Sequence, residues 1–262
     1  MWKNTQRVGA MFILSIRSKR WNIAMQHIYF AEKPANIRKP MNLVCHTHSL
    51  VPSRKLAKSE TVHIRLTDNE RTMYAALSKN NQKMLRRAQQ EAYQMLLYEK
   101  PSEENLRAFQ HFYNNFAKRK KLEQLSKSHM ESISLINNKG ALLLSESRSN
   151  CGQTLCYRLD IVHANKAMSY YVATCHPSSM PAHLKRPIRY ANRFLLWHNL
   201  LHLKQQGCLV YDMGELTDIK NIREFKLSFG GQVVDVYSGF IAQSKISALL
   251  LGVQKWRKQQ LK

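Results

Sequence analysis

Two carboxylates, Asp212 and Glu215, stand at the end of an apolar run, Cys208–Met213, that reads as a buried strand. Ligands of α/β proteins commonly bind at strand ends, and a carboxylate there can take a proton from an amine or hold it. Asp212 can equally cap the segment that follows. Gly214, between the two acids, allows close approach of backbone. A second group is cationic: Lys185, Arg186 and Arg189 open a long predicted helix, and side-chain clamps of this type suit phosphate. Their alternative is a solvated helix start. Potential metal ligands are poorly grouped. Cys45, His46 and His48 lack a second ligand pair, and His198 and His202, one turn apart, lack a third ligand, so no metal is expected.

The elements that must carry these residues follow from periodicity. Thr61–Leu66 alternates like a strand, and a helix capped by Thr67 or Asp68 should follow. A basic helix is expected from about Ser78 to Glu99, its first half made cationic by Lys83, Arg86 and Arg87. Ser102 caps a further helix with Glu103 and Glu104 in its first turn, where acids suit the dipole. Its stripe of Leu106, Phe109, Phe112, Tyr113 and Phe116 reads as core. The period then changes. Ala141–Glu146, Thr154–Val162 and Ala167–Thr174 form an expected antiparallel meander. A long helix over 185–206 ends at Gly207, and the strand Cys208–Met213 follows. A short helix over 220–229, a Gly-Gly turn, a strand over 232–237 and a helix within 244–258 complete the chain.

Composition bounds the rest. The 262 residues hold 44% apolar residues, enough for an ordered core. Lys and Arg number 41 against 17 Asp and Glu, a formal net charge of +24 that attracts polyanions such as RNA, DNA, anionic membrane or phosphate-rich donors. Eleven of the cations lie in residues 1–58 beside a single acid, Glu32. With Pro34, Pro40 and Pro52, that stretch reads as a basic, irregular arm or degenerate subdomain. Residues 59–100 read as a strand and basic helices leading into the fold, and 101–262 as its main domain. Five cysteines without CxxC spacing suggest no disulfide framework and fit a cytoplasmic setting. Val8–Ile16 is too short to span a bilayer and reads as a core strand or an overlong translated start. No transmembrane segment is expected, although contact with the inner membrane face is compatible with the charge.

The segment from Ala191 to Gly231 contains Ala191-Asn192-Arg193-Phe194-Leu195-Leu196-Trp197, Lys204-Gln205-Gln206-Gly207, Tyr211-Asp212-Met213-Gly214-Glu215 and Phe225-Lys226-Leu227-Ser228-Phe229-Gly230-Gly231. It resembles the FemAB/FemX-like (BioF2-like) branch of the GNAT acyltransferase superfamily. Asn80–Glu91 is similar to the basic helix that precedes the C-terminal domain in that branch. The resemblance covers roughly residues 60–240, and the Phe-Lys-x-x-Phe-Gly-Gly turn is its most specific part. Glu215 departs from the second glycine of the Tyr-Asp-x-Gly-Gly pattern. The chain also has room for one full GNAT domain and a remnant, where FemAB transferases have two.

The resemblance implies a mixed, mostly antiparallel sheet flanked by helices, split into a V-shaped gap that admits the acyl donor, with a partial N-terminal subdomain. It implies an acyl- or aminoacyl-transferase acting on an amine, such as a cell-envelope amino sugar or peptide precursor, with acyl-CoA or aminoacyl-tRNA as donor. It places Phe225 and Lys226 beside the donor carbonyl, where a lysine can offset developing negative charge and a phenylalanine can wall off water. Asp212 and Glu215 become candidates for base or amine holder. Acyl-CoA-using GNAT domains carry a glycine-bearing phosphate cradle at the start of the long helix. Arg189 takes the glycine position here, so Lys185, Arg186 and Arg189, with Asn192 and Arg193, are the candidate donor contacts, and tRNA is a candidate partner of the basic surface. The competing reading is a nucleic-acid-binding protein on a catalytically inactive GNAT scaffold.

Overall fold

The computed structural model describes residues 11–18, 23–34, 42–91, 93–176, 185–245, 247–249 and 251–252, without the side chains of 17, 18, 23, 185–187 and 189. The chain divides into two compact units, one built from Val62–Gln232 and the other from the described parts of Gln6–Thr61 and Val233–Lys262.

The first unit carries the sheet β4 (Ala57–Arg65, whose second half belongs here), β5 (Gln94–Tyr98), β6 (Leu142–Arg148), β7 (Thr154–His163), β8 (Lys166–Thr174) and β9 (Val210–Glu215). Their order across the sheet is β4-β9-β8-β7-β6-β5. The expected meander is present: β6, β7 and β8 pair antiparallel in sequence. Helix α5 (Lys185–Gln205) packs on β6, β7 and β8 and returns the chain to β9, which runs parallel to β8. It buries Leu195, Leu196, Leu200 and Leu203 on one face. It ends in a Schellman cap, with Gly207 at φ 85° donating to Lys204 O and Cys208 N–H donating to Leu203 O. Helix α3 (Glu103–Lys120), capped by a Ser102–Asn105 capping box, covers the opposite face. Alternation along β7 separates the two sides: Tyr157 meets Phe109 and Phe112 of α3, whereas Arg158 meets Asn192 of α5.

The structure differs from the bare sequence reading at three places. The basic helix expected over 78–99 ends early: α1 (Glu70–Ala76) and α2 (Lys79–Ala88) are helical, but Gln94–Tyr98 is β5, paired with β6 from Leu144 to Arg148. Long-range ladder bonds there override the helical preference of Gln, Met and Leu. Helix α4 (Lys127–Asn138), capped by Ser126, occupies a stretch given no element from the sequence. Within residues 1–58, read as an irregular arm or a degenerate subdomain, the described stretches include three strands. The second unit builds β1 (Phe12–Ser18), β2 (Ile23–Tyr29) and β3 (Leu43–Ser49) from them, and β10 (Gln232–Ala242) pairs with β3. Pro34 and Pro52 lie between strands, and burial of Ile28, Ala31 and Val44 gives the strands a small core despite the cations. The helix expected within 244–258 falls largely outside the described residues. No described helix is long and apolar enough to cross a membrane.

Candidate active site

β8 and β9 pair only at Lys166–Met168 with Val210–Asp212; beyond that register β8 runs on to Thr174 and β9 to Glu215. A β-bulge on the β7–β8 ladder between Leu159 and Asp160 bends β8 at this point. The fork so formed lies at the C-terminal end of β9, the rim on which the acids Asp212 and Glu215 were expected.

Lys226, from helix α6 (Lys220–Leu227), reaches this fork. Its Nζ donates to Gly214 O at 2.9 Å and to Glu215 O at 2.6 Å. An ammonium has three N–H groups, so one remains without a partner among the described residues. Burial lowers the Lys226 pKa to about 8, the nearby Arg158 cation adding to the effect while Asp212 and Glu215 oppose it. Asp212 is buried: its Oδ1 accepts the Gly214 N–H at 2.8 Å and its Oδ2 lies 3.5 Å from His63 Nε2 on β4. Its first contact is therefore the local turn that the sequence offered as its alternative role. Glu215 is exposed, and its carbonyl, rather than its carboxylate, holds Lys226.

The Gly-Gly turn after α6 sets this arrangement through backbone packing. Gly230 has φ 74°, and a Cβ there would lie 2.1 Å from Ala76 O; a Cβ on Gly231 would lie 2.6 Å from His63 O. Both glycines therefore serve close approach rather than ligand contact. Replacing Gly230 by Ala should cost about 3 kcal/mol, combining left-handed strain with overpacking against main chain. A urea midpoint equal to that of the parent chain would show the turn to be loosely seated.

Phe225 packs against Phe229 with ring centroids 5.4 Å apart, and the Arg193 guanidinium lies 4.8 Å from the Phe225 ring centroid. Arg193 Nη1 also donates to Asn81 Oδ1 and Ser228 Oγ, both at 3.3 Å, tying α5 to α2 and to the end of α6. A cavity of about 550 Å³ opens here, lined among others by Ser78, Asn80, Arg193, Phe225 and Ser228. Asn192, expected beside Arg193 as a donor contact, faces the sheet instead and accepts from Arg158 Nη1 at 2.8 Å. Lys185, Arg186 and Arg189 lie at the start of α5, and their side chains fall outside the described set.

The sequence reading passed over two features. One is His63, whose partner is distant in the chain and adjacent only because β4 neighbours β9. The other is a buried polar network. Arg158, 2% exposed, donates from Nη2 to Ser169 Oγ and to Tyr211 Oη, each at 3.1 Å. Tyr211 Oη donates to Asp160 Oδ1 at 2.8 Å, and Asn199 Nδ2 donates to Asp160 Oδ2 at 2.9 Å. The readable signal was a pair of opposite charges two residues apart in an otherwise apolar strand. Among the described residues no group of three or more His, Cys, Asp or Glu side chains gathers as a metal site, and His202 instead faces Glu99 at 3.2 Å.

No family model matches the chain. No curated protein matches it either. Solved structures do. FemX superposes with a TM-score of 0.62 at 9% identity, covering 88% of this chain and 84% of FemX. A structure described as the C-terminal domain of an Agrobacterium fabrum lysylphosphatidylglycerol synthetase gives 0.54 at 12% identity, over 93% of this chain and 87% of that one. L-PGS from Bacillus licheniformis gives 0.51 at 11% identity, over 95% and 90%. At these identities the likeness is one of fold, and the chain has the fold of FemX and of the lysylphosphatidylglycerol synthetase domain.

Proposed function

We propose that the chain is an acyl- or aminoacyl-transferase that moves an acyl group onto an amine, with the Lys226 ammonium stabilising the negative charge that develops on the donor carbonyl oxygen. The observation that carries this reading is the Lys226 Nζ, fixed by two main-chain carbonyls at the fork with one N–H left over. Its half-buried setting makes such a donor worth more than it would be in water. Phe225 lines the cavity at the start of α2, where an aromatic side chain can wall a bound donor from water. The donor is acyl-CoA or aminoacyl-tRNA. The cavity at the start of α2 and the exposed cations Lys79, Lys83, Arg86 and Arg87 along that helix suit either polyanionic carrier. The acceptor is an amine, such as that of a cell-envelope amino sugar or peptide precursor, as the resemblance of the Ala191–Gly231 motifs implies.

The test is direct. Acetyl-CoA, a longer acyl-CoA and charged tRNA are each offered with amino-sugar and peptide amines, and product is followed by mass spectrometry. The chain is expected to transfer from one of these donors, and Lys226→Ala to lose about 10²–10³-fold in turnover while its affinity for polyanions barely changes. Full turnover by Lys226→Ala sinks the role of the lysine; nucleic-acid binding without transfer by the parent chain favours the inactive-scaffold reading. A pH profile adds an independent check. Only the protonated lysine can donate, and Lys226 titrates near 8, so turnover should fall as pH rises through about 8.

A further inference from the structure

The geometry points to His63 as the general base that takes the proton from the attacking amine, held in its working tautomer by Asp212. This rests on the transferase reading above and goes beyond it by assigning the proton's path.

His63 sits on β4, which lies beside β9 in the sheet, and its Nε2 is 3.5 Å from Asp212 Oδ2. The two partners differ in access: the Asp212 side chain is 5% exposed, that of His63 23%. The acid is thus enclosed and the imidazole reachable, which is the division of labour a base and its orienting carboxylate require. Asp212 is itself fixed, because its other oxygen accepts the Gly214 N–H. With Nε2 turned to the carboxylate, the ring proton belongs on Nε2 and the lone pair on Nδ1, for which no protein partner is found among the described residues.

Three connections tie this pair to Lys226. Gly214 donates its N–H to Asp212 and offers its carbonyl to Lys226, so a single residue spaces the acid and the ammonium. Asp212 acts electrostatically on Lys226, raising its pKa against the effect of burial. The glycine turn that delivers Lys226 ends at Gly231, which packs on the carbonyl of His63 itself. The turn that places the cation therefore also locates the imidazole.

In the reaction, the amine nitrogen forms a bond to the donor carbonyl carbon, and the carbonyl π electrons move onto oxygen facing Lys226. A proton leaves the amine nitrogen for His63 Nδ1. The tetrahedral centre then collapses, breaking the C–S bond of a thioester or the C–O bond of an ester. The imidazolium returns its proton to the departing sulfur or oxygen, so no further reactant is needed.

The experiment uses the full chain with whichever donor supports transfer, comparing the parent with His63→Ala and His63→Asn, each checked by circular dichroism and thermal melting. His63→Asn keeps a hydrogen-bonding side chain toward Asp212 and guards against a variant that merely fails to fold. Both variants are expected to melt near the parent and lose at least about 10²-fold in kcat with little change in KM. Added imidazole is expected to restore His63→Ala by tenfold or more and to leave His63→Asn, whose cavity is filled, unrescued. Parent-like kcat in either folded variant, or a loss in His63→Ala that imidazole does not repair, overturns the assignment while leaving the transferase reading intact. Absence of transfer by the parent chain from every donor overturns both.

Discussion

Replacing Lys226 by Met should abolish transfer and at the same time make the folded chain more stable at neutral pH. The lysine titrates near 8 in the fold and near 10.5 in the unfolded chain, so keeping it charged at pH 7 costs about 3 kcal/mol before allowance for its partial solvent contact. The sign is fixed by proton counts. Below about pH 8 both states hold the proton and the cost is fully present. Between about 8 and 10.5 the unfolded chain binds more protons than the folded one, so the parent gains stability as pH rises. Methionine fills the same space without the charge. Urea midpoints should therefore favour Lys226→Met by about 1–3 kcal/mol at pH 7, with the advantage shrinking toward pH 10.5. A side chain kept for the fold alone would behave oppositely. A lower midpoint for Lys226→Met at pH 7 would mean that its bonds to Gly214 O and Glu215 O outweigh the desolvation, and that the lysine is a structural strut.

The largest loss of stability is expected at Arg158. Its guanidinium joins Asn192 on α5, Ser169 on β8 and Tyr211 on β9, and Tyr211 passes the interaction to Asp160. Burial raises the Asp160 pKa, and the Arg158 charge is the chief influence opposing it. Arg158→Met removes that charge and takes a donor from the buried Tyr211 Oη and from the half-buried Asn192 and Ser169. A cost of about 3–5 kcal/mol follows, as for breaking other buried ionic networks. The double variant Arg158→Met, Asp160→Asn should recover part of it, because the uncompensated acid is gone; the coupling is read from a double-mutant cycle in urea. Strict additivity of the two changes would show that Asp160 does not depend on Arg158.

Legibility in the sequence followed the range of the interactions. The meander, α5 and its ending at Gly207 could be read because period and cap are local properties. β5 could not: Gln94–Tyr98 carries helix-forming residues and becomes a strand only by pairing with β6. The strands β1 to β3 were hidden by the cations and prolines of the surrounding sequence, of which Pro34 and Pro52 lie between strands. Lys226 and Asp212 stand out in the sequence by the motif around them, and Gly214 links the two in the fold. Asn192 and Arg193, adjacent on α5, face in different directions: Asn192 points at Arg158 and Arg193 at Phe225. His63 was invisible because only the neighbouring of β4 and β9 makes it a partner of Asp212.

The seating of Gly230 on Ala76 and of Gly231 on His63 is a joint between main chains. Such a joint is blind to the side chains around it. The outer surface of α6, where Ile222 already faces solvent, can be rewritten without moving the amine, whereas one added methyl group inside the joint displaces it. Positions of α6 away from the cavity can therefore vary, whereas those two α-carbons should stay bare.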